Sequence, residues 1–151
     1  MTTRNILVVL LFFLGMGAIF GGAVFIISPS GELFGMPLSM LNNSPFKNFL
    51  IPGIILFLVL GLAPVVIAIA LIKKPVNKVL EAFNLYKDMH WAWTYTIYIA
   101  FALIIWIQIQ MMIIQAVDWL HTFYMFLAVV IIFVALLPAV RNLYKQKLKN
   151  L

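Results

Sequence analysis

Four carboxylates (Glu32, Glu81, Asp88, Asp118) and two histidines (His90, His121) are the side chains of this chain best suited to proton transfer or metal binding, because cysteine is absent. Without cysteine there is no thiol nucleophile, no thiolate metal site and no disulfide. Asp118 and His121 are three residues apart, so on a helix they share a face. Two ligands are too few for a metal centre. The pair is expected to cap a helix and to form a polar contact at its end. His90 and His121 fall at opposite ends of the topology derived below and cannot bracket one haem. The serines Ser28, Ser30, Ser39 and Ser44 have only His121 as a candidate base, a loose basis for hydrolysis or group transfer. No metal and no other cofactor is expected.

The amides point to binding. Gln108 and Gln115 are seven residues apart and share a helix face, with Met111 between them. Gln110 lies on another face, four residues after Trp106. An amide left unpaired in hydrocarbon costs several kcal/mol, so each needs a partner on a neighbouring helix or in a pocket. The spacing is compatible with simple interhelical hydrogen bonding. It is also compatible with a pocket lined by Trp106, Gln108, Gln110, Met111 and Gln115 and closed by Phe34 and Met36. Such an apolar site with a few convergent polar groups suits a neutral amphiphile or lipid.

These residues are positioned by four apolar runs, at residues 6–27, 49–72, 91–114 and 119–140. Each reaches the roughly 20 residues that a helix needs to cross a bilayer. The chain is 66% hydrophobic and 9% charged, whereas a soluble domain carries about a quarter charged residues. The runs lack the alternation of a barrel strand. The expectation is an all-α, antiparallel four-helix transmembrane bundle that takes up residues 1–151 as one domain. The first run is too long for a signal-peptide core and is read as a retained helix.

Nine of the ten basic residues flank the runs on one side: Arg4; Lys73, Lys74, Lys78 and Lys87; Arg141, Lys145, Lys147 and Lys149. The positive-inside rule makes that side and both termini cytoplasmic. Lys47 alone falls outside. The net charge of +6 is therefore a topology signal and not a nucleic-acid footprint, although it favours anionic lipid.

The first run contains the small-residue pairs Gly17/Gly21 and Ala18/Gly22, which allow close helix packing within the bundle or between copies. Ser44-Pro45 is expected to start the second helix, and Pro64 to kink it near mid-membrane. The apolar outer connection (Leu33, Phe34, Met36, Leu38, Met40, Leu41) is expected to lie over the bundle as a short interfacial lid. The inner connection spaces Val76, Val79, Leu80, Phe83, Tyr86 and Met89 like one stripe of an amphipathic surface helix. The basic tail is expected to continue the last helix beyond Arg141.

At Ser44-Pro45-Phe46 with Leu50-Ile51-Pro52-Gly53, and again at His90-Trp91-Ala92-Trp93, the chain resembles a group of small, uncharacterised four-span proteins of the bacterial inner membrane. The resemblance implies that location and no chemistry. No ionised residue is expected at bilayer depth, which argues against proton- or ion-coupled transport. The expected function is that of a non-enzymatic accessory protein or homo-oligomer. Its partners would be membrane lipid, a second copy or another membrane protein. A small transporter or channel for an uncharged solute, and an enzyme acting on lipid at the outer face, are the competing readings.

Overall fold

The computed structural model describes residues 2–146. Among the described residues, four helices are long and apolar enough to cross a membrane: α1 (Thr3–Ile27), α2 (Leu50–Lys73), α4 (Trp91–Ile114) and α5 (Trp119–Leu136). Two short helices, α3 (Lys78–Ala82) and α6 (Pro138–Tyr144), complete the all-α, multi-pass architecture. Each of α1 and α4 packs against both α2 and α5, which closes a four-membered ring. Leu7, Leu11 and Leu14 of α1, Leu60 and Leu71 of α2, Leu103 of α4 and Ile131 of α5 are fully buried along its axis.

The termini and the connection between α2 and α4 share one end of the bundle, here the terminal end. The Tyr144 hydroxyl donates to the Leu71 carbonyl at 2.7 Å, the Lys74 ammonium donates to the Leu143 carbonyl at 2.7 Å, and His90 N–H donates to the Tyr144 carbonyl at 2.8 Å. Residues 28–49 and 115–118 cover the opposite end, here the cap end.

Glycine sets the α1–α2 contact. A Cβ on Gly22 would lie 2.7 Å from Phe57 Cβ and 2.8 Å from the Gly53 carbonyl oxygen. One on Gly15 would meet Val65 at 2.6 Å and the Gly61 carbonyl at 2.9 Å. Gly15 and Gly22 are seven residues apart and share a face. Gly53 and Gly61 are eight apart, and eight α-helical steps overshoot two turns by about 80°. The chain corrects this with a π segment, Leu56–Leu62. Its wider turns rotate less per residue and return Gly61 to the α1 face. Of the two small-residue pairs read from sequence, Ala18/Gly22 is buried, with Gly22 in the tight seam beside Gly15, and Gly17/Gly21 is corrected. Gly17 faces the Tyr124 hydroxyl, and Gly21 makes only ordinary contact with Leu56.

Pro64 lies two residues after the end of the π segment, in the first turn of the resumed α-helix. There a missing N–H costs little. The Ala63 N–H bonds to the Leu58 carbonyl, five residues back. The expected proline kink falls at a change of helical register.

Three boundaries differ from expectation. Ser44 does not begin α2: its hydroxyl donates to the Leu41 carbonyl at 2.9 Å and accepts the Phe46 N–H at 3.1 Å. Asn48 Oδ1 instead accepts the Leu50 N–H at 3.0 Å. The last span stops at Leu136, because Leu137 precedes a proline and adopts extended backbone (ψ 136°). The chain does not continue that helix past Arg141: α6 ends at Tyr144, and Lys145 forms an isolated β-bridge with Met89. The end of the tail, residues 147–151, lies outside the described residues. The connection between α2 and α4 holds only the five-residue α3 and not the one amphipathic helix expected. Its stripe is split, with Met89 buried and Val76 and Val79 exposed.

Candidate functional site

The cap is a tight turn stitched to the start of α2. Gly31 adopts φ 80°, and a Cβ there would collide with the Met36 carbonyl. Met36 N–H donates to the Gly31 carbonyl at 3.0 Å, and Phe49 N–H donates to the Pro29 carbonyl at 2.9 Å. The Phe25 ring stacks on Phe49 (centroids 5.0 Å apart) and meets Phe34 edge-on at 5.1 Å. Two 3₁₀ turns, Glu32–Phe34 and Leu38–Leu41, carry the rest.

Beneath this cap lies a cavity of about 50 Å³, walled by Phe25, Met36, Phe49, Leu56, Trp106, Gln110 and Ile113 among others. An apolar groove of about 200 Å³ between α2 and α4 adjoins it, lined by Ile55, Val59, Leu60, Ala102, Ile105, Trp106 and Ile109. Trp106 and Ile109 belong to both. A buried water needs about 2–4 polar partners. Gln110 is the only polar side chain in the cavity wall apart from the Trp106 indole N–H. That N–H is buried and unpaired. The chemistry of the space therefore suits methylene groups better than water.

The structure brings Trp106, Gln110 and Met36 of the expected pocket to this wall and leaves the other four residues off it. Gln108 is exposed on the outer face of α4. Met111 packs against the bundle core. Gln115 ends α4 with φ 56° and turns its amide N–H back to the Met112 carbonyl at 2.6 Å. Phe34 props Phe25 and Phe20 from the side. Gln108 is exposed and Gln115 is the left-handed cap of α4, so their seven-residue spacing brings neither amide to the cavity wall. The wall is mostly contributed by aromatic and aliphatic residues, which sequence alone cannot separate from lipid-facing ones.

Asp118 and His121 meet in a capping box at the start of α5, with the Asp118 N–H donating to His121 Nδ1 at 3.0 Å. Both satisfy orphan groups of a helix end. The Ser28 and Ser30 hydroxyls lie 3.4 Å from each other. Among the described residues, no hydrogen bond joins His121 to a serine, and no cluster of three metal-ligating side chains occurs.

A second polar assembly, at the terminal end, is not anticipated by residue spacing. Asn84 donates to the Met89 carbonyl at 2.7 Å and to Glu81 at 2.9 Å, and accepts from the Thr94 hydroxyl at 2.6 Å. Glu81 also accepts the Trp91 N–H at 3.2 Å. The Trp91 indole donates to the Pro75 carbonyl at 2.8 Å. His90 caps α4, with Nδ1 accepting the Ala92 N–H at 3.2 Å, while its buried Nε2 has no partner. Burial pushes the imidazole below its ordinary pKa, against the pull of Glu81. Burial also pushes the Tyr144 phenol up to about 12. The only sequence signal for this assembly is the crowding of Thr94, Tyr95, Thr96 and Tyr98 near the start of α4. Its bonds are nearly all internal, which is the pattern of a structural clamp.

No protein-family model, no curated protein and no solved structure matches the chain.

Proposed function

We propose that this chain is a non-catalytic protein of the bacterial inner membrane, with both termini cytoplasmic, that holds a lipid chain beneath its outer cap. It acts through that lipid and through helix packing, as an accessory subunit or a homo-oligomer. The observation that carries the reading is the apolar cavity under the cap, which shares its lining residues Trp106 and Ile109 with the groove between α2 and α4. An acyl chain already in the bilayer can reach such a groove from the side without crossing a polar surface. The basic residues gathered at the terminal end support the orientation.

The competing readings fare worse. A solute path past Pro64 is opposed by the fully buried leucines along the bundle axis and by Pro64 itself being buried. A lipid-modifying enzyme would use His121 beside a serine, and His121 is engaged as a helix cap.

Native mass spectrometry after mild extraction tests the proposal. The wild type and Gln108→Leu are expected to retain a lipid, because Gln108 lies off the wall. Ile113→Trp, which puts an indole into the cavity, is expected to lose it. Equal lipid retention in all three proteins contradicts the proposal.

A further inference from the structure

The connection between α2 and α4 wears its apolar side chains on the outside. Val76, Phe83 and Leu85 are 91%, 70% and 78% exposed, while the polar Asn84 is 1% exposed. That is inverted for a loop in water, where the amide would be outside. The segment also does not stand clear of the bundle. Tyr95 donates its hydroxyl to the Leu80 carbonyl at 3.3 Å. The Tyr98 hydroxyl donates to the Phe83 carbonyl at 3.2 Å and accepts the Leu85 N–H at 3.2 Å. Tyr98 is seven residues into α4, roughly 10 Å along its axis from Trp91. Residues 80–85 are therefore held by side chains from the first turns of a membrane-spanning helix.

Irregular backbone at membrane depth is tolerated only where protein satisfies its polar groups. The two tyrosines and Asn84 supply that service here. Lys73, Lys74 and Lys78 stand before Phe83 and Leu85 and Lys87 after them, all exposed; the Lys74 ammonium donates to the Leu143 carbonyl at 2.7 Å, and the Lys87 ammonium donates to the Glu81 carbonyl at 2.8 Å and so helps to pair the segment's backbone. The nearby Glu81 carboxylate is taken by Asn84 and the Trp91 N–H.

We propose that residues 78–87 form a shallow re-entrant wedge in the adjoining leaflet. Phe83 and Leu85 lie among the acyl chains, and the exposed Lys73 and Lys78 lie against the phosphates of anionic lipids. The occupant of this surface is the bilayer itself. The wedge is continuous with the α2 span, and its bracketing charge is complementary to anionic headgroups. A protein partner would have to displace lipid to reach Phe83 and Leu85. The inference rests on the membrane-spanning reading and is independent of the cavity, which is at the other end of the bundle.

The cysteine-free chain allows single spin labels at Leu85→Cys and Lys87→Cys, both at exposed positions. The full protein in phosphatidylglycerol nanodiscs is expected to give a Leu85 label open to oxygen and shielded from a water-soluble nickel chelate. The Lys87 label is expected to favour the chelate. In phosphatidylcholine nanodiscs the Leu85 label should become more accessible to the chelate. Equal chelate access at both sites overturns the wedge. Shielding of Leu85 from both reagents also overturns it and points to a protein partner. Identical profiles in the two lipids overturn the role given to the lysines. None of these outcomes depends on whether Ile113→Trp sheds a lipid.

Discussion

His90 carries a load that its sequence neighbours do not reveal. Its Nδ1 must be unprotonated to accept the Ala92 N–H, so the cap needs a neutral ring. Burial lowers its pKa from the ordinary 6.5, and Lys74 pushes the same way, while Glu81 and the Pro75 and Lys74 carbonyls pull upward. Because the folded value is the depressed one, the unfolded chain takes up the proton first. The stabilisation is complete above 6.5 and is lost as pH falls through the lowered folded value. The wild type is expected to melt at progressively lower temperature from about pH 7 to about pH 5. His90→Asn keeps a good capping side chain without a titrating group and should give a flatter profile. Equal slopes in the two melting curves would remove His90 from this role. That His90 precedes a helix is visible in the sequence. That Nε2 is buried without a partner, and that Thr94 reaches Asn84, are consequences of a turn that brings residues ten apart together.

Between α1 and α2 the argument concerns backbones. The apolar runs locate both helices to within a few residues, because bilayer thickness dictates their length. The π segment is invisible in those runs, since it is required only when Gly53 and Gly61 must face the same neighbour. Glycine content signals a close approach, but seam and surface glycines look alike until the partner helix is placed. Gly22→Ala sets a Cβ 2.7 Å from the Phe57 backbone nitrogen and is expected to cost ~1–3 kcal/mol through overpacking. Gly21→Ala meets only Leu56 Cδ2 at 3.4 Å and gains helix propensity of up to ~1 kcal/mol. Chemical or thermal unfolding in detergent should separate the two variants. If Gly21→Ala is the more damaging, the seam is misassigned. The end of α5 carries the same lesson in reverse. Pro138 stands in plain view, but the apolar run continues past it, and hydropathy alone does not register that Leu137 must leave the helix.

The molecule as a whole has two unlike ends. The terminal end is clamped by the Asn84–Glu81–Thr94 assembly and by Tyr144, and carries Arg4, Lys73, Lys74, Lys78, Lys87, Arg141 and Lys145. The cap end holds the space, closed by stacked phenylalanines and a glycine turn. Composition alone reveals the bundle and its asymmetry of charge, because both are dictated by the bilayer. It does not reveal the cavity, since cavity-lining and lipid-facing residues are chemically the same. Photo-crosslinking therefore bears on the account where sequence is silent. Phospholipid with a diazirine in its acyl chain would be incorporated with the protein in nanodiscs and the adducts mapped by mass spectrometry. The account predicts adducts concentrated on Ile109, Ile113 and Met36, and their loss from Met36 in Ile113→Trp. Adducts spread evenly over outward residues such as Phe13, Phe126 and Phe133, with Met36 unlabelled, would contradict it.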